Sequence, residues 1–239
     1  MNIALIGYGK MGKAIEEIAV SRGHKVVVKF NSQNPLESSQ LRTTDVAIEF
    51  SHPNLVVKHI KLCADGQIPI VVGTTAWEEH LQEITNHIGK REASLIYSSN
   101  FSIGVNVFFE MNKHLARLMN DHSEYKAAIT EIHHTQKIDA PSGTAVSLAK
   151  DLISNHSAYS SWKLKEEARN FEKNDLPISA IREENIPGTH IINYTSDIDT
   201  LSIIHQAHNR KGFALGAIVA AEYIHNKQGI FTMSDILKF

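Results

Sequence analysis

The chain has 239 residues, 42% hydrophobic and 21% charged, with 13 Gly and only 6 Pro. That excludes a peptide and the disordered, collagen-like and disulfide-stapled classes, and leaves room for one large domain or two modest ones around a real core. Lys and Arg total 24 against 26 Asp and Glu, a formal charge of -2, so no global positive field exists to hold nucleic acid or an anionic membrane.

In chain order, the first hundred residues alternate between strand-like and helix-like segments. Asn2 to Ile6 reads as a buried strand, Gly9 to Arg22 carries Met11, Ala14, Ile15 and Ile18 at helical spacing, and Lys25 to Phe30 is a valine-rich strand, together a βαβ unit. A strand at Asp45 to Phe50, a helix at Pro53 to Ala64, a strand at Ile68 to Val72, a helix at Trp77 to Ile88 and a strand at Ser94 to Tyr97 continue the pattern. Such alternation predicts a parallel sheet covered by helices on both faces.

After Asn100 the rhythm changes. A helix over Gly104 to Met119 leads into a strand at Tyr125 to His133 and a helix at Ser142 to Ile153. The polar stretch Asn155 to Pro177 reads as a surface loop with some helical content. Ile178 to Glu183, His190 to Ser196 and Thr200 to Ala207 read as a meander of successive strands, with turn chemistry at Pro187-Gly188 and at Asp197 to Asp199. A helix at Phe213 to His225 and a short one opened by Ser234 close the chain. The expected fold class is α/β: a Rossmann-type parallel-sheet nucleotide domain plus an α+β domain with a mixed or antiparallel sheet, with a boundary near residue 102.

Cys63 stands alone, so neither an intrachain disulfide nor a cysteine-based zinc site is expected, and a reducing, cytoplasmic setting fits. No apolar run approaches the roughly 18 residues of a spanning helix, and Met1 to Ile6 lacks the features of a secretory signal. No membrane or nucleic-acid partner is expected.

Gly7-Tyr8-Gly9-Lys10-Met11-Gly12 follows the first strand and opens the first helix. In a dinucleotide fold these glycines make the tight turn, let the backbone approach the pyrophosphate and allow close helix packing, with phosphate at the helix N-terminus. The acidic residue expected about 20 residues on is missing, and Lys29, Phe30, Asn31 and Ser32 stand there instead. Asn31 can hydrogen-bond a ribose hydroxyl and Lys29 could attract a 2′-phosphate, so NAD and NADP both remain open. Gly73-Thr74-Thr75 and Ser99-Asn100-Phe101-Ser102 end later strands, where ligands of open α/β sheets bind, though both also suit plain strand-to-helix caps.

The densest chemistry lies in Glu131 to Thr144. His133, His134 and Lys137 supply two imidazoles and an ammonium, able to donate protons or bind a carboxylate near neutral pH. Pro141, Ser142, Gly143 and Thr144 stand at a helix start, an anion cradle. His205 and His208 on one strand project to opposite sides and no carboxylate or cysteine cluster completes a ligand set, so no metal is expected.

The order of two His, two other residues, Lys, one residue, Asp, one residue, then Pro141-Ser142-Gly143-Thr144 resembles the signature of the 4-hydroxy-tetrahydrodipicolinate (dihydrodipicolinate) reductase family of bacterial lysine and diaminopimelate synthesis. The resemblance runs through the whole chain, including Gly188 with His190 and Asn209 to Ala214. It implies a nucleotide domain from 1–102 with 209–239, a substrate-binding and oligomerisation domain over 103–208, and a homotetramer. It also implies NADH or NADPH at Gly7 to Gly12, Gly73 to Thr75 and Ser99 to Ser102, with His133 and Lys137 as the catalytic pair. A small dicarboxylate substrate would meet His134, Ser142, Gly143 and Thr144. The implied reaction is reduction of the cyclic imine left when 4-hydroxy-tetrahydrodipicolinate loses water.

Two departures stand out: Phe30-Asn31 where the family is often acidic, and Glu184 in place of a glycine, which predicts a local change in that turn. Two other readings compete. One is another Rossmann oxidoreductase acting on a different small carboxylate, and the other is a non-catalytic dinucleotide sensor.

Overall fold

The structure is a computed structural model that describes residues 1–167 and 170–239. In chain order it runs β1 (Asn2–Ile6), α1 (Lys10–Ser21), β2 (Lys25–Phe30), β3 (Val46–Glu49), α2 (Pro53–Asp65), β4 (Ile70–Val72), α3 (Leu81–Arg91) and β5 (Ser94–Tyr97). There follow α4 (Ile103–Met119), β6 (Lys126–His133), α5 (Gly143–Asn155), β7 (Ser161–Leu164), β8 (Asp175–Arg182), β9 (Gly188–Thr195) and β10 (Thr200–Ala207). The chain ends with α6 (Lys211–Ile224), β11 (Gly229–Phe231) and α7 (Met233–Leu237). Its contacts divide it into two compact units, Met1–Ile103 with Arg210–Phe239, and Gly104–Asn209.

The first unit is a six-stranded parallel sheet in the order β11-β5-β4-β3-β1-β2. Its inner strands are continuous apolar runs because both faces are covered. Val56 and Ile60 of α2 with Ile84 and Ile88 of α3 cover one face; Ile15 and Ala19 of α1 with Ala217 and Ala221 of α6 cover the other. Helix α6 is apolar nearly all round, as a helix sunk in a core must be, and an added Cβ at Gly216 would collide with the Phe101 carbonyl. Cys63 is fully buried here and burial pushes its thiol up to about 12, so it is an inert core residue.

The second unit is a mixed sheet in the order β10-β9-β6-β8-β7. Leu148 and Leu152 of α5 and Phe108 and Ala116 of α4 pack with Ile129, Ile178, Ile192 and Tyr194. The expected meander is corrected. β9 and β10 form an antiparallel hairpin, but β8 does not pair with β9; β6 lies between them, antiparallel to β9 and parallel to β8. The helix α5 intervenes in sequence between β6 and β8, and a helical crossover is what joins parallel neighbours.

Several local expectations also shift. The stretch Asn155 to Pro177, expected as loop, contains β7 and the start of β8, while its residues 168–169 lie outside the described residues. Only four residues long and with only Leu164 of them buried, β7 is an edge strand without a period-2 signal. The helix expected from Trp77 begins as a 3-10 turn at Glu78–His80. The last helix is capped by Thr232, not opened by Ser234: Thr232 and Asp235 form a capping box. Glu184 is tolerated because the left-handed position of its turn falls on Asn185 (φ 63°), a residue type that adopts it readily.

Candidate active site

In the first unit, four loops gather at the carboxyl end of the parallel sheet, where open α/β sheets bind ligands. The glycine loop divides by function. Gly7 has φ 95° and an added Cβ would run into the Phe50 carbonyl; one at Gly12 would strike the Gly7 carbonyl. Both are demanded by packing. A Cβ at Gly9 meets nothing within 4 Å, so this glycine answers no steric need of the fold and leaves the approach to α1 bare. Helix α1 also has no side-chain cap and no acidic residue in its first turn. Unserved amides at a helix N-terminus beside open space fit a pyrophosphate, and the loop thereby fits a dinucleotide.

The residues after β2 are more committed than the sequence suggested. The Lys29 ammonium is 2.6 Å from Glu16 Oε1 and stands 4.6 Å over the Tyr8 ring, and the Tyr8 hydroxyl donates to Glu16. The Asn31 side-chain oxygen accepts from the amides of Gln33 (2.8 Å) and Asn34 (2.9 Å), an Asx turn. Thr74 Oγ1 accepts from the Ser51 amide at 2.8 Å, Thr75 is exposed, and Gly73 is packed against the Phe50 ring. Asn100 Oδ1 accepts from the Ser102 amide at 2.9 Å, and Ser99 is exposed. Lys10 is exposed, and Met11 packs partly buried against the core. Phe101, expected to touch cofactor, has its side chain 1% exposed in the core, with its ring 5.9 Å from that of Phe50.

One cluster here was not anticipated. Glu49, fully buried at the end of β3, accepts from the Ser51 hydroxyl and lies 3.2 Å from His59 Nδ1. A carboxylate ending an otherwise apolar strand was the available signal.

In the second unit, the period-2 alternation of β6 buries Ala127, Ile129, Glu131 and His133 on one face. Glu131 and His133 are therefore side-by-side, with Glu131 Oε2 2.6 Å from His133 Nδ1. Glu131 Oε1 accepts from the Ser142 amide and from Arg182 Nη2, both at 3.1 Å. Burial alone would raise the Glu131 carboxyl, but the bonds from His133 and Ser142 outweigh it and hold it at about 2. The His190 ring stands T-shaped to that of His133, centroids 5.2 Å apart, and its Nε2 is 3.1 Å from Ser142 Oγ.

After β6 the chain turns, the Lys137 amide donating to the His134 carbonyl at 3.0 Å. The Lys137 ammonium is 2.8 Å from both Asp139 oxygens, and the Lys137 bond holds the Asp139 carboxyl below its usual range. His134 is half-buried, and its Nδ1 is buried without a hydrogen-bond partner among the described residues. Gly143 and Thr144 open α5. Ser142, expected to touch substrate, is 3% exposed and fully used: its amide serves Glu131 and its Oγ accepts from the Ala145 amide. It is the N-cap that shapes the cradle.

Sequence reasoning gave no role to Glu131, Arg182 or His190; a charged residue at an inward strand position was the signal for Glu131. Ligand atoms of Glu131, His133 and His190 lie within 4.8 Å of one another, a grouping that could hold a metal. It is one the His205–His208 spacing did not suggest, and Arg182 already supplies its cation. His190 carries a pH consequence. Burial first, then the His133 charge, lowers it to about 4 from 6.5, so the unfolded chain binds its proton first as pH falls. Stability therefore drops between about pH 6.5 and 4, by on the order of 3 kcal/mol, and a second loss follows below about 4.5, where the unfolded chain protonates Glu131 before the folded one, held at about 2, does. Thermal melts from pH 8 to 4 are expected to show the first decline in the parent and a shallower one in His190→Gln.

Fold and site together define a dinucleotide-dependent oxidoreductase. The dihydrodipicolinate reductase N-terminus family model matches residues 1–101, and the dihydrodipicolinate reductase C-terminus model matches 104–237. The 4-hydroxy-tetrahydrodipicolinate reductase of Christiangramia forsetii is 48% identical over 239 residues, covering 99% of this chain and 98% of its own. That of Alkaliphilus oremlandii is 32% identical over 99% of this chain and 98% of its own. A dipicolinate-bound dihydrodipicolinate reductase from Paenisporosarcina sp. TG-14 shares the fold, with TM-score 0.76, 23% identity and 97% of each chain covered. The chain belongs to the dihydrodipicolinate reductase family. It is an oxidoreductase of lysine and diaminopimelate biosynthesis that uses NADH or NADPH.

Proposed function

We infer that this chain reduces 4-hydroxy-tetrahydrodipicolinate, after loss of water to the conjugated cyclic imine, to tetrahydrodipicolinate. The match of both family models along the chain carries this reading, and the cluster around His133 supplies the residues. Bound NADH or NADPH supplies the hydride. The first unit is the dinucleotide-binding domain, with the pyrophosphate at Gly7 to Gly12 and the nicotinamide side at Gly73 to Thr75 and at Ser99 to Ser102. The second unit binds substrate. The amides of Gly143 and Thr144 at the head of α5 take one carboxylate, and His134 the other.

As the ring is reduced, negative charge moves to its nitrogen side and a proton must be added. An acid or cation at that point lowers the barrier because it binds the transition state more tightly than the substrate. His133 and Lys137 meet that need. The Asp139 carboxylate holds the Lys137 ammonium in place on its loop, and with Nδ1 against Glu131 Oε2 the other ring nitrogen of His133 is left to face substrate. Leu201 and Ile204, exposed on the edge strand β10, support assembly through that sheet, as a cytoplasmic homotetramer.

Following nicotinamide absorbance with NADH and with NADPH, after the preceding synthase makes the cyclic intermediate from pyruvate and aspartate semialdehyde, tests the reading. Rapid oxidation that depends on the intermediate is expected. No oxidation with either nucleotide, from folded protein that binds one of them, overturns it.

A further inference from the structure

We propose that Glu131 is a positioning residue that holds three substrate-facing elements in register: the His133 imidazole, the first turn of α5 and, through Arg182, the loop carrying Lys137. The proposal rests on the site assignment above and deepens it. Glu131 is fully buried, so it touches neither substrate nor cofactor and acts through its neighbours. Its two oxygens meet three separate segments: Oε1 accepts from the Ser142 amide at the head of α5 and from Arg182 Nη2 of β8, both at 3.1 Å, and Oε2 lies in close contact with His133 Nδ1 of β6 at 2.6 Å, outside hydrogen-bond geometry. Arg182 reaches on to the loop, donating from Nη2 to the Asp139 carbonyl at 2.7 Å and from Nε to the Lys137 carbonyl at 3.2 Å.

Two donors on Oε1 and an imidazole nitrogen close against Oε2 suit a carboxylate. Glutamine has the same shape, but one acceptor oxygen and an amide that donates. It could serve the imidazole or the Ser142–Arg182 pair, and would turn N–H against N–H on the other side. The contact at Nδ1 also sends the other ring nitrogen outward. Nε2 emerges beside Gly188, where an added Cβ would stand 3.0 Å from it, so bare backbone lines the way to the nitrogen that would serve the substrate. A buried carboxylate close beside a ring nitrogen sets ring direction in triads and in metal-bound histidines as well. Here the same oxygens also tie down the anion cradle.

The charged and titratable groups facing His133 are Glu131 on its own strand, Arg182, its register partner on β8, and His190 on β9, with Lys137 on the following loop. Of these, Glu131 carries the negative charge.

The test uses the full-length enzyme with Glu131→Gln and Arg182→Lys, reading kcat, KM for the cyclic intermediate, and NADH affinity by nicotinamide fluorescence. Glu131→Gln is expected to lose about 100-fold in kcat and to keep NADH affinity within about twofold. Arg182→Lys, which cannot span the carboxylate and both loop carbonyls, is expected to raise KM about 10-fold and to keep kcat within about threefold. Activity of Glu131→Gln within threefold of the parent, or a loss matched by an equal loss of NADH affinity, overturns the proposal. If Glu131→Gln does not fold, unchanged KM and kcat in Arg182→Lys overturn it. Full activity in His133→Ala and Lys137→Ala would instead sink the site assignment itself, so the two failures are distinct.

Discussion

Lys137→Ala loses about 1,000-fold in kcat/KM and melts within about 2 °C of the parent. The two halves of this expectation come from different links in the chain of causes. The ammonium sits on a loop rather than in a core, with its side chain 21% exposed and bonded to an Asp139 that is 61% exposed. Exposed pairs of this kind contribute under about 1 kcal/mol, so folding barely notices the loss. The chemistry does notice, since a positioned proton donor or cation contributes roughly 100- to 10,000-fold. His133→Gln is expected to fall by a similar factor but with a lower melting temperature, because Glu131 and His190 are buried around that ring and lose a partner. Steady-state kinetics with the cyclic intermediate beside thermal melts check both. An active Lys137→Ala would move proton delivery elsewhere, and an unfolded one would make the loop structural.

The glycine loop offers an equally large contrast within six residues. Gly7→Ala puts a methyl into the Phe50 carbonyl at a φ of 95°, and the end of β3 must move to admit it. A cost of about 3 kcal/mol or more follows, enough to unfold a marginally stable unit at 37 °C. Gly9→Ala has φ near −90° and an empty neighbourhood, so its stability stays within about 0.5 kcal/mol of the parent. What it loses is affinity, by about 10-fold or more for NADH, because the methyl occupies the approach to the α1 amides. Melting curves separate the first variant and fluorescence titration the second. Parent-like NADH binding by Gly9→Ala would mean that phosphate does not rest on this turn.

Much was legible before any coordinates. The βαβ start, the glycine loop and the segment from His133 to Thr144 are local patterns, each written in fewer than thirty consecutive residues. The chemistry of their residue types follows from spacing alone. Two short strands were not legible: β4 is as short but wholly apolar, whereas β11 opens on Gly229 and β7 mixes Ser161 and Lys163 with its apolar residues, so neither shows a continuous apolar run. The pairing of β8 was hidden too, since its partner β6 lies more than forty residues upstream.

Within the site the division is the same. The sequence by itself determined which groups are present: two adjacent imidazoles, an ammonium, a helix start without charge and a turn rich in glycine. Tertiary structure decided which of them are free to act. It engaged Lys29 with Glu16 and Asn31 with its own turn, sank Phe101 into the core, and spent Ser142 on a cap. It also brought Arg182 and Glu131, 51 residues apart, to 3.1 Å, and placed His190 against His133. The physical reason is that a residue type sets what a group can donate or accept, whereas burial and the neighbours across a sheet set what it has left to offer.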